Sequence, residues 1–395
     1  MPIPLLLPAL VCLVQPPDLP LIAIHPTQKA LDLLKVGKIQ EAMNQLDLAI
    51  QKDGKDPAPH WIKAQVYSQI AEQTKGWESA WYTFCAEESA CTLLDLPNLE
   101  NDTVAKAMSL LQHAHDAELP KRPAIPKTAQ EAFDAGETAF HASQWEVARG
   151  HYQRALELHP TYSAAALYVG DTYYSEKRMA EAITWFKKTT TLNPHEPRGW
   201  RYMADALTES GQPQAAEAAL MDAIKIFPGN RASWQPLMWK RRRAGRPMTR
   251  LAFWPKAHVT WDAKGNQIVS IEEHPEDSNA QSAWLLLASS TLDAIDVKEM
   301  APGSKQDPAL ITRFQQERFF WELALTGYGE QCAKAGSQPK DRILKQFLAF
   351  QKDGQLDAAL FLLRYREAFR PDYEAWLKSN PNGVQAFIDR YNLCP

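Results

Sequence analysis

The chain has 395 residues, of which 45% are apolar and 23% are charged. This is the composition of an ordinary globular protein with roughly two to four domains, and it excludes a fibrous or wholly disordered chain. The net charge of −4 argues against a dedicated nucleic-acid-binding protein, because such proteins are normally basic. The five cysteines are scattered and lack zinc-ligand spacing, so neither a disulfide scaffold nor a zinc site is expected.

An apolar run over residues 3–14 opens the chain. It is interrupted by Pro4 and Pro8 and is shorter than the about 20 residues that cross a bilayer. A secretory signal is one interpretation of residues 1–20, although no Lys or Arg precedes the run and no small-residue cleavage site follows it. We therefore keep two expectations open: a cell-envelope or periplasmic protein if this segment is a signal, and a cytoplasmic protein otherwise.

Residues 21–118 are predicted to form a helical block, followed by a stiff proline-rich linker over residues 119–128. A helix that begins at Asn101 or Asp102 closes the block. Small and apolar residues recur there in two degenerate copies of one helical-hairpin pattern. The first copy holds Ala30, Leu33, Gly37, Ile39, Ala42, Leu46 and Ala49, and the looser second copy holds Ala64, Tyr67, Ala71, Ala80 and Phe84.

A repeat of about 34 residues dominates the middle of the chain, where Pro160, Pro194 and Pro228 follow one another at a constant spacing. Each proline closes a segment with two apolar stripes of helical period, and small residues occupy the places where two helices would approach closely. A single hairpin of this kind cannot bury its own stripes, so neighbouring hairpins must stack. The residues at identical offsets are Ala132, Gly136, Ala139, Trp145, Ala148, Tyr152 and Ala155; Ala166, Gly170, Tyr173, Met179, Ala182, Phe186 and Thr189; and Trp200, Ala204, Leu207, Pro213, Ala216, Leu220 and Ala223.

In this pattern the segments resemble tetratricopeptide repeats. The resemblance implies an all-α fold: a solenoid of helical hairpins in which residues 129–245 form three repeats and a cap helix over residues 231–244. After the array, residues 251–275 contain two β-branched runs around a glycine-containing loop and are predicted to form a β-hairpin. Residues 277–395 are predicted to be helical, with a degenerate repeat at 340–373 marked by Ile343, Phe347, Phe350, Gly354, Leu356, Ala359, Leu363 and Pro371.

The sequence offers no recognisable catalytic chemistry. None of the common nucleophile, phosphate-binding or metalloprotease motifs is present, and the histidines lack partners at ligand spacing, so no catalytic residue, cofactor or metal ion is expected. The 250–340 region resembles no family known to us. An enzyme with its active site in that region is therefore the alternative to a non-catalytic protein.

A basic run over residues 240–250 contains six cations and no acidic residue. One interpretation is a helix C-terminus, where cations favour the helix dipole and Gly245 ends the helix. The other is a site for anions, such as the headgroups of an anionic membrane surface, formed by Arg241, Arg242, Arg243 and Arg246.

The resemblance also implies a concave groove lined by the second, fifth, ninth and twelfth residues of the first helix in each repeat. The matching residues are Gln130, Phe133, Glu137 and Phe140; Ala164, Leu167, Asp171 and Tyr174; and Arg198, Arg201, Asp205 and Thr208. The ninth position is acidic in all three repeats. The family's subclass that grips acidic chaperone tails has Lys and Asn in the early positions, and this chain departs from that pattern.

We therefore predict a peptide-binding groove with an acidic line beside an aromatic wall of Phe133, Phe140 and Tyr174. Such a groove suits a protein segment that carries Lys or Arg together with an apolar anchor. The alternative is that these side chains are solvated or contact flanking helices. The predicted function is a non-catalytic scaffold or adaptor for a protein or peptide partner, in cell-envelope assembly if the leader is a signal.

Overall fold

The computed structural model describes residues 25–117, 119, 121–253, 256–261, 267–271, 277–289 and 311–395, so the predicted leader lies outside the described residues. These ranges contain 18 α-helices and four short strands. The prediction of an all-α solenoid with a helical C-terminal region and one β-hairpin is confirmed. Before the array lie α1 (His25–Lys35), α2 (Ile39–Lys52), α3 (Pro57–Gln73), α4 (Trp77–Asp95) and α5 (Asn101–Ala117).

Seven helices form the central array. They are α6 (Lys127–His141), α7 (Trp145–Leu158), α8 (Ser163–Ser175), α9 (Met179–Leu192), α10 (Pro197–Glu209), α11 (Pro213–Ile226) and α12 (Arg231–Arg243). The three repeat prolines Pro160, Pro194 and Pro228 each lie two residues after the last residue of the second helix of a hairpin. This is where a residue without an amide hydrogen is expected to end a helix.

Two helices of a hairpin approach each other closely at a glycine. A Cβ atom placed on Gly170 would lie 2.5 Å from Cε1 of Phe186, and one placed on Gly136 would lie 2.5 Å from Cε1 of Tyr152. In the third repeat the corresponding positions are occupied by Ala204 and the aliphatic Leu220. The small residues of the repeat therefore make room for aromatic rings from the second helix, which are almost fully buried.

The hairpin turns share one backbone conformation. The residues Ser143, Lys177 and Gly211, which occupy the same position in successive repeats, have positive φ angles of 57°, 62° and 77°. Gly245, at the corresponding position one repeat later, has a φ of 74° and ends α12 in the same way. The chain thus begins a fourth repeat, but it continues into the strand β1 (Thr249–Arg250) and not into a second helix.

The C-terminal region is mostly helical, as the sequence predicts. Its elements are β2 (Ala257–Trp261), β3 (Gln267–Ile271), α13 (Gln281–Ser289), α14 (Arg313–Lys334), α15 (Arg342–Lys352), α16 (Leu356–Leu363), α17 (Arg370–Ser379), α18 (Gly383–Tyr391) and β4 (Leu393–Cys394). The strands β2 and β3 pair antiparallel, with Ala257 opposite Ile271 and Trp261 opposite Gln267. The helices α15 and α16 form a hairpin, but α16 ends eight residues before Pro371, which lies in the first turn of α17.

Buried ion pairs follow the end of α16. Arg364 and Arg366 are almost fully buried, and their guanidinium groups lie 3.1 Å and 2.8 Å from Oε1 of Glu88. Oε1 of the neighbouring Glu87 accepts a hydrogen bond from the backbone N–H of Glu367, with N and Oε1 3.1 Å apart. Polar side chains thus replace the apolar stripe that would have continued a repeat helix, which explains why the C-terminal copy departs from the pattern.

The chain divides into two compact units. The array unit comprises His115–Arg250 and Asn382–Cys394, and the second unit comprises Met1–Ala114, Leu251–Pro381 and Pro395. The N-terminal helices and most of the C-terminal helices therefore belong to one unit. The last helix, α18, belongs to the array unit, where it lies against α11.

The proline-rich segment before the array is attached to it by one arginine. Arg122 donates hydrogen bonds to the hydroxyl oxygen of Ser163 at 2.8 Å and to the carbonyl oxygens of Thr161 and Leu192 at 2.7 Å and 3.0 Å. These acceptors lie at the loops that join successive hairpins. The linker predicted between the two regions is thus partly fixed to the array.

Candidate functional site

The first helices of the hairpins, together with the cap helix, present one continuous row of polar side chains. We call the surface formed by these residues of α6, α8, α10 and α12 the first-helix face. Side chains of this face interact from one helix to the next. Together with burial, the charge of Glu137 on α6 raises the pKa of Asp171 on α8. Lys240 of α12 donates a hydrogen bond to Oγ1 of Thr208 on α10. The charge of Lys240 also acts on Asp205 of α10, where it opposes the rise in pKa that burial causes.

Glu137 and Asp171 form an acidic pair in this face. The hydroxyl of Tyr152 donates a short hydrogen bond to Oε1 of Glu137. Burial, and then the charge of Glu137, raise the pKa of Asp171 to about 6. In the described part of the chain, no cation contributes to this shift, so the negative charge of the pair has no cationic partner at Asp171.

Three tyrosines, Tyr168, Tyr174 and Tyr202, lie within electrostatic reach of Asp171. Burial raises the pKa of each, and Asp171 raises all three further. The phenol groups therefore stay neutral at physiological pH and present polar hydroxyls next to aromatic surface. Tyr168 and Tyr202 both occupy the sixth position of their helices, and neither was among the predicted groove residues. Their repetition in register was the signal that could have found them.

The third repeat has mixed charge. Arg198 is paired with Glu196, with Nη2 and Oε2 2.9 Å apart. Burial lowers the pKa of Arg201, while burial raises that of Asp205 against the opposing charges of Lys240 and Arg201. The carboxylate at the ninth position is therefore compensated by cations in this repeat, in contrast to Asp171.

The predicted aromatic wall is only partly present. Leu167 is 1% exposed and belongs to the core, so its assignment to the groove is wrong. Phe133 packs against Tyr152, Tyr162 and Tyr168 with ring centroids 5.1–5.4 Å apart. Phe140 packs in the same way against Trp145 and Tyr168. The rings of Phe133 and Phe140 therefore fill gaps between helices. Tyr174, the third residue of the predicted wall, is half-buried, as are Tyr168 and Tyr202.

The remaining residues at the second and twelfth positions have polar neighbours or little side chain. Gln130 accepts a hydrogen bond from the hydroxyl of Tyr162 at 2.9 Å and donates one to Asp134 at 2.7 Å. Thr208 receives the bond from Lys240 and donates to the carbonyl of Ala204. Ala164 offers no functional group.

The basic run is divided by the structure. Arg241 is 1% exposed, and it pairs with Glu217 at 2.8 Å and with Asp389 of α18. Arg246 pairs with the other oxygen of Glu217 at 2.6 Å. The assignment of Arg241 to an anion site is therefore wrong, because its charge is neutralised inside the array unit. Arg242 and Arg243 are exposed, and these two carry what remains of that prediction.

Two buried side chains of the 250–340 region donate hydrogen bonds to aspartates. The hydroxyl of Tyr328 donates to Asp277 at 2.6 Å, and the indole of Trp284 donates to Asp341 at 2.9 Å. Asp341 also caps the N-terminus of α15 through the amides of Ile343 and Leu344. Within the described residues, no group of three or more His, Cys, Asp or Glu side chains is placed to hold a metal ion.

No described helix combines the length and the apolar character that crossing a bilayer requires.

Comparison with known proteins identifies the repeats. Residues 133–197 match a tetratricopeptide repeat family model. The protein O-mannosyl-transferase Tmtc2 of Drosophila melanogaster is 30% identical over 92 residues, which cover 23% of this chain and 10% of that protein. This chain thus matches only about a tenth of the length of that relative.

Solved structures similar to this chain include the first tetratricopeptide repeat domain of Spaghetti (RPAP3) bound to an HSP90 peptide, with 14% identity and a TM-score of 0.29. That match covers 30% of this chain and 94% of the other. YrrB, described as having an unusual peptide-binding site, has 16% identity and a TM-score of 0.26, with 54% and 91% covered. A TPR2AB complex of yeast Sti1 has 16% identity and a TM-score of 0.29, with 56% and 84% covered.

The family match spans the first hairpin from Phe133, the whole second hairpin and the start of the third. These are the hairpins whose prolines, small residues and left-handed turns recur at the constant spacing of the repeat. Residues 133–197 of the chain therefore contain tetratricopeptide repeats.

Proposed function

We propose that the first-helix face binds a segment of a partner protein that carries Lys or Arg, and that the protein acts as a non-catalytic adaptor. The observation that supports this most is the acidic pair of Glu137 and Asp171, which is half-buried and has no cation opposing it at Asp171 among the described residues. Stacked helical hairpins offer extended surfaces that suit an unfolded chain segment.

The electrostatics of the pair favour a cationic ligand for a physical reason. A carboxylate that is partly removed from water and lies beside another carboxylate is less stable in its charged form. An ammonium or guanidinium group placed between the two would remove this cost and would gain charge-assisted hydrogen bonds. The hydroxyl groups of Tyr168 and Tyr202 lie within electrostatic reach of the same position and would receive the remaining polar contacts.

The test is a binding titration with short, fluorescein-labelled synthetic peptides of equal length, measured by fluorescence anisotropy at low salt. One peptide alternates Lys with Ser, a second alternates Glu with Ser, and a third contains Ser and Gly only. We expect the lysine peptide to bind and the other two not to bind. The double variant Glu137→Gln, Asp171→Asn should lose at least about tenfold in affinity for the lysine peptide, since two charges are removed from the site.

A matched control keeps the comparison fair. Glu146 and Glu157 of α7 are exposed and lie on a second helix, away from the first-helix face. The variant Glu146→Gln, Glu157→Gln removes the same net charge from the protein, and its affinity should equal that of the wild type. Equal losses in the two double variants would show that only net charge matters, and the proposal would be refuted.

The cellular compartment of the adaptor depends on whether the leader is a signal. If residues 1–20 act as a signal, the adaptor works in the cell envelope, and if they do not, it works in the cytoplasm. Fractionation of the native host, with sequencing of the mature N-terminus, distinguishes the two.

A further inference from the structure

The first-helix face does not end at the third repeat. The first helices α8, α10 and α12 begin at Ser163, Pro197 and Arg231, at the same constant spacing as the repeat prolines. The cap helix α12 is therefore in register with the repeats, and its ninth position is occupied by Trp239. We call Glu137, Asp171, Asp205 and Trp239 the ninth-position row.

Trp239 differs from the other tryptophans in its exposure. Its relative exposure is 60%, the highest of any tryptophan or phenylalanine whose side chain the structure describes, whereas Trp234 on the same helix is 1% exposed. A single exposed apolar residue is ordinary on a protein surface. Here its position is informative, because the same row carries the acidic pair and because the adjacent Lys240 reaches back to α10 and fixes α12 beside the third repeat.

From this register, and resting on the proposed function, we infer that Trp239 is the apolar anchor site of the same binding face. The occupant is an extended partner segment in which a cationic side chain lies opposite the acidic pair and an aromatic or large aliphatic side chain covers Trp239. Asp205 lies between the two ends, but Lys240 and Arg201 oppose its charge. The cation of the partner is therefore placed at Asp171 and not at Asp205.

The repeat geometry sets the spacing in the partner. Neighbouring packed helices lie about 10 Å apart, so one step along the row corresponds to about 10 Å. An extended chain rises by about 3.3 Å per residue, so one step equals about three residues. Trp239 is two steps from Asp171 and three steps from Glu137. The face thus selects a segment whose basic residue lies about six to nine positions from its apolar anchor.

The experiment uses the full chain and labelled synthetic peptides in fluorescence anisotropy. The spaced peptide carries a tryptophan, with lysines six and nine positions away and Ser or Gly elsewhere. The compact peptide has the same composition, with the lysines one and two positions from the tryptophan. Both chain directions are synthesised, because the face fixes a distance and not a polarity. We expect the spaced peptide, in one direction, to bind at least about fivefold more tightly than the compact peptide.

Variants separate the anchor from the acidic pair. Trp239→Ala should weaken the spaced peptide about tenfold, Trp239→Phe should restore most of that loss, and neither should change the affinity for a lysine peptide without tryptophan. Val147→Ala removes an apolar side chain that is 51% exposed on α7, a second helix, and should leave all affinities unchanged. Circular dichroism confirms that each variant is folded.

Each outcome decides one of the two proposals. If Asp171→Asn weakens the lysine peptides while Trp239→Ala changes nothing, the anchor inference is overturned and the proposed function stands. If neither variant changes any affinity, both fail. Equal binding of the spaced and compact peptides overturns the spacing. Self-association of the chain that Trp239→Ala abolishes would assign Trp239 to an interface between copies and would also overturn the inference.

Discussion

The substitution Asp171→Asn tests the electrostatic argument directly. Asp171 has a pKa of about 6 in the folded protein, whereas an unfolded aspartate has a pKa of about 3.9. Between these two values the folded state binds more protons than the unfolded state, so the free energy of unfolding falls as the pH rises from about 4 to about 6. Above that range the full cost of the charged carboxylate is present.

The size of the effect follows from the two pKa values. Their difference corresponds to about 3 kcal/mol, and the partial exposure of the side chain to solvent reduces this to about 1–2 kcal/mol. Asparagine has nearly the same shape and carries no charge. We therefore expect Asp171→Asn to raise the free energy of unfolding by about 1 kcal/mol at about pH 7.5 and to leave it unchanged at about pH 4.

Urea denaturation at the two pH values measures the effect, and hydrogen exchange of the α8 amides identifies the transition of the array. The control is Asp222→Asn on α11, a half-buried aspartate whose pKa burial also raises. This variant should gain stability in the same direction but should not change peptide binding. A stability change in Asp171→Asn that is negative near neutral pH, or equal at both pH values, would refute the reasoning.

The same protonation step should control binding. Because a cationic ligand interacts with the charged form of Asp171, the affinity for the lysine peptide should fall as the pH drops below about 6. In Asp171→Asn the affinity should be about tenfold lower near neutral pH and nearly constant between about pH 5 and 8. An unchanged pH dependence in the variant would assign the titration to another group.

Three further predictions concern the fold. Gly170→Ala should destabilise the array by about 1–3 kcal/mol, because its Cβ would meet the ring of Phe186. Gly150→Ala should stabilise it by about 0.5–1 kcal/mol, because nothing lies within 4 Å of the added Cβ. Thermal unfolding compares the two variants. Arg241→Ala should cost about 3 kcal/mol and increase hydrogen exchange in α18, since the carboxylates of Glu217 and Asp389 lose this partner; unchanged protection of α18 would contradict this. Burial and the charge of Glu367 raise the pKa of Glu87 well above its usual range. Glu87→Gln should therefore stabilise the second unit relative to the wild type, and this gain should be larger at neutral pH than at acidic pH. Urea denaturation from acidic to slightly alkaline pH checks the sign.

The local pattern predicted the hairpins well, for a reason that residues of the second repeat illustrate. Gly170 and Phe186 face each other within the same hairpin, so their identities carry the information about packing. The groove was harder to predict. Leu167 belongs to the same helix as Asp171 but is buried in the core. The rings of Phe133 and Phe140 fill gaps between helices. Whether a side chain on a helix stays exposed to solvent depends on the size of the side chains next to it.

The sequence alone determined the repeat: its period, the ends of its helices at Pro160, Pro194 and Pro228, and the acidic ninth position. These features depend on neighbours within one or two hairpins, and such short-range contacts are written into the spacing of residues. Only the tertiary structure decided the partner of Arg241, since Asp389 lies 148 residues away in the last helix of the chain. It also decided that Asp171 lacks a cation among the described residues while Asp205 has two, because charges pair across space and not along the chain.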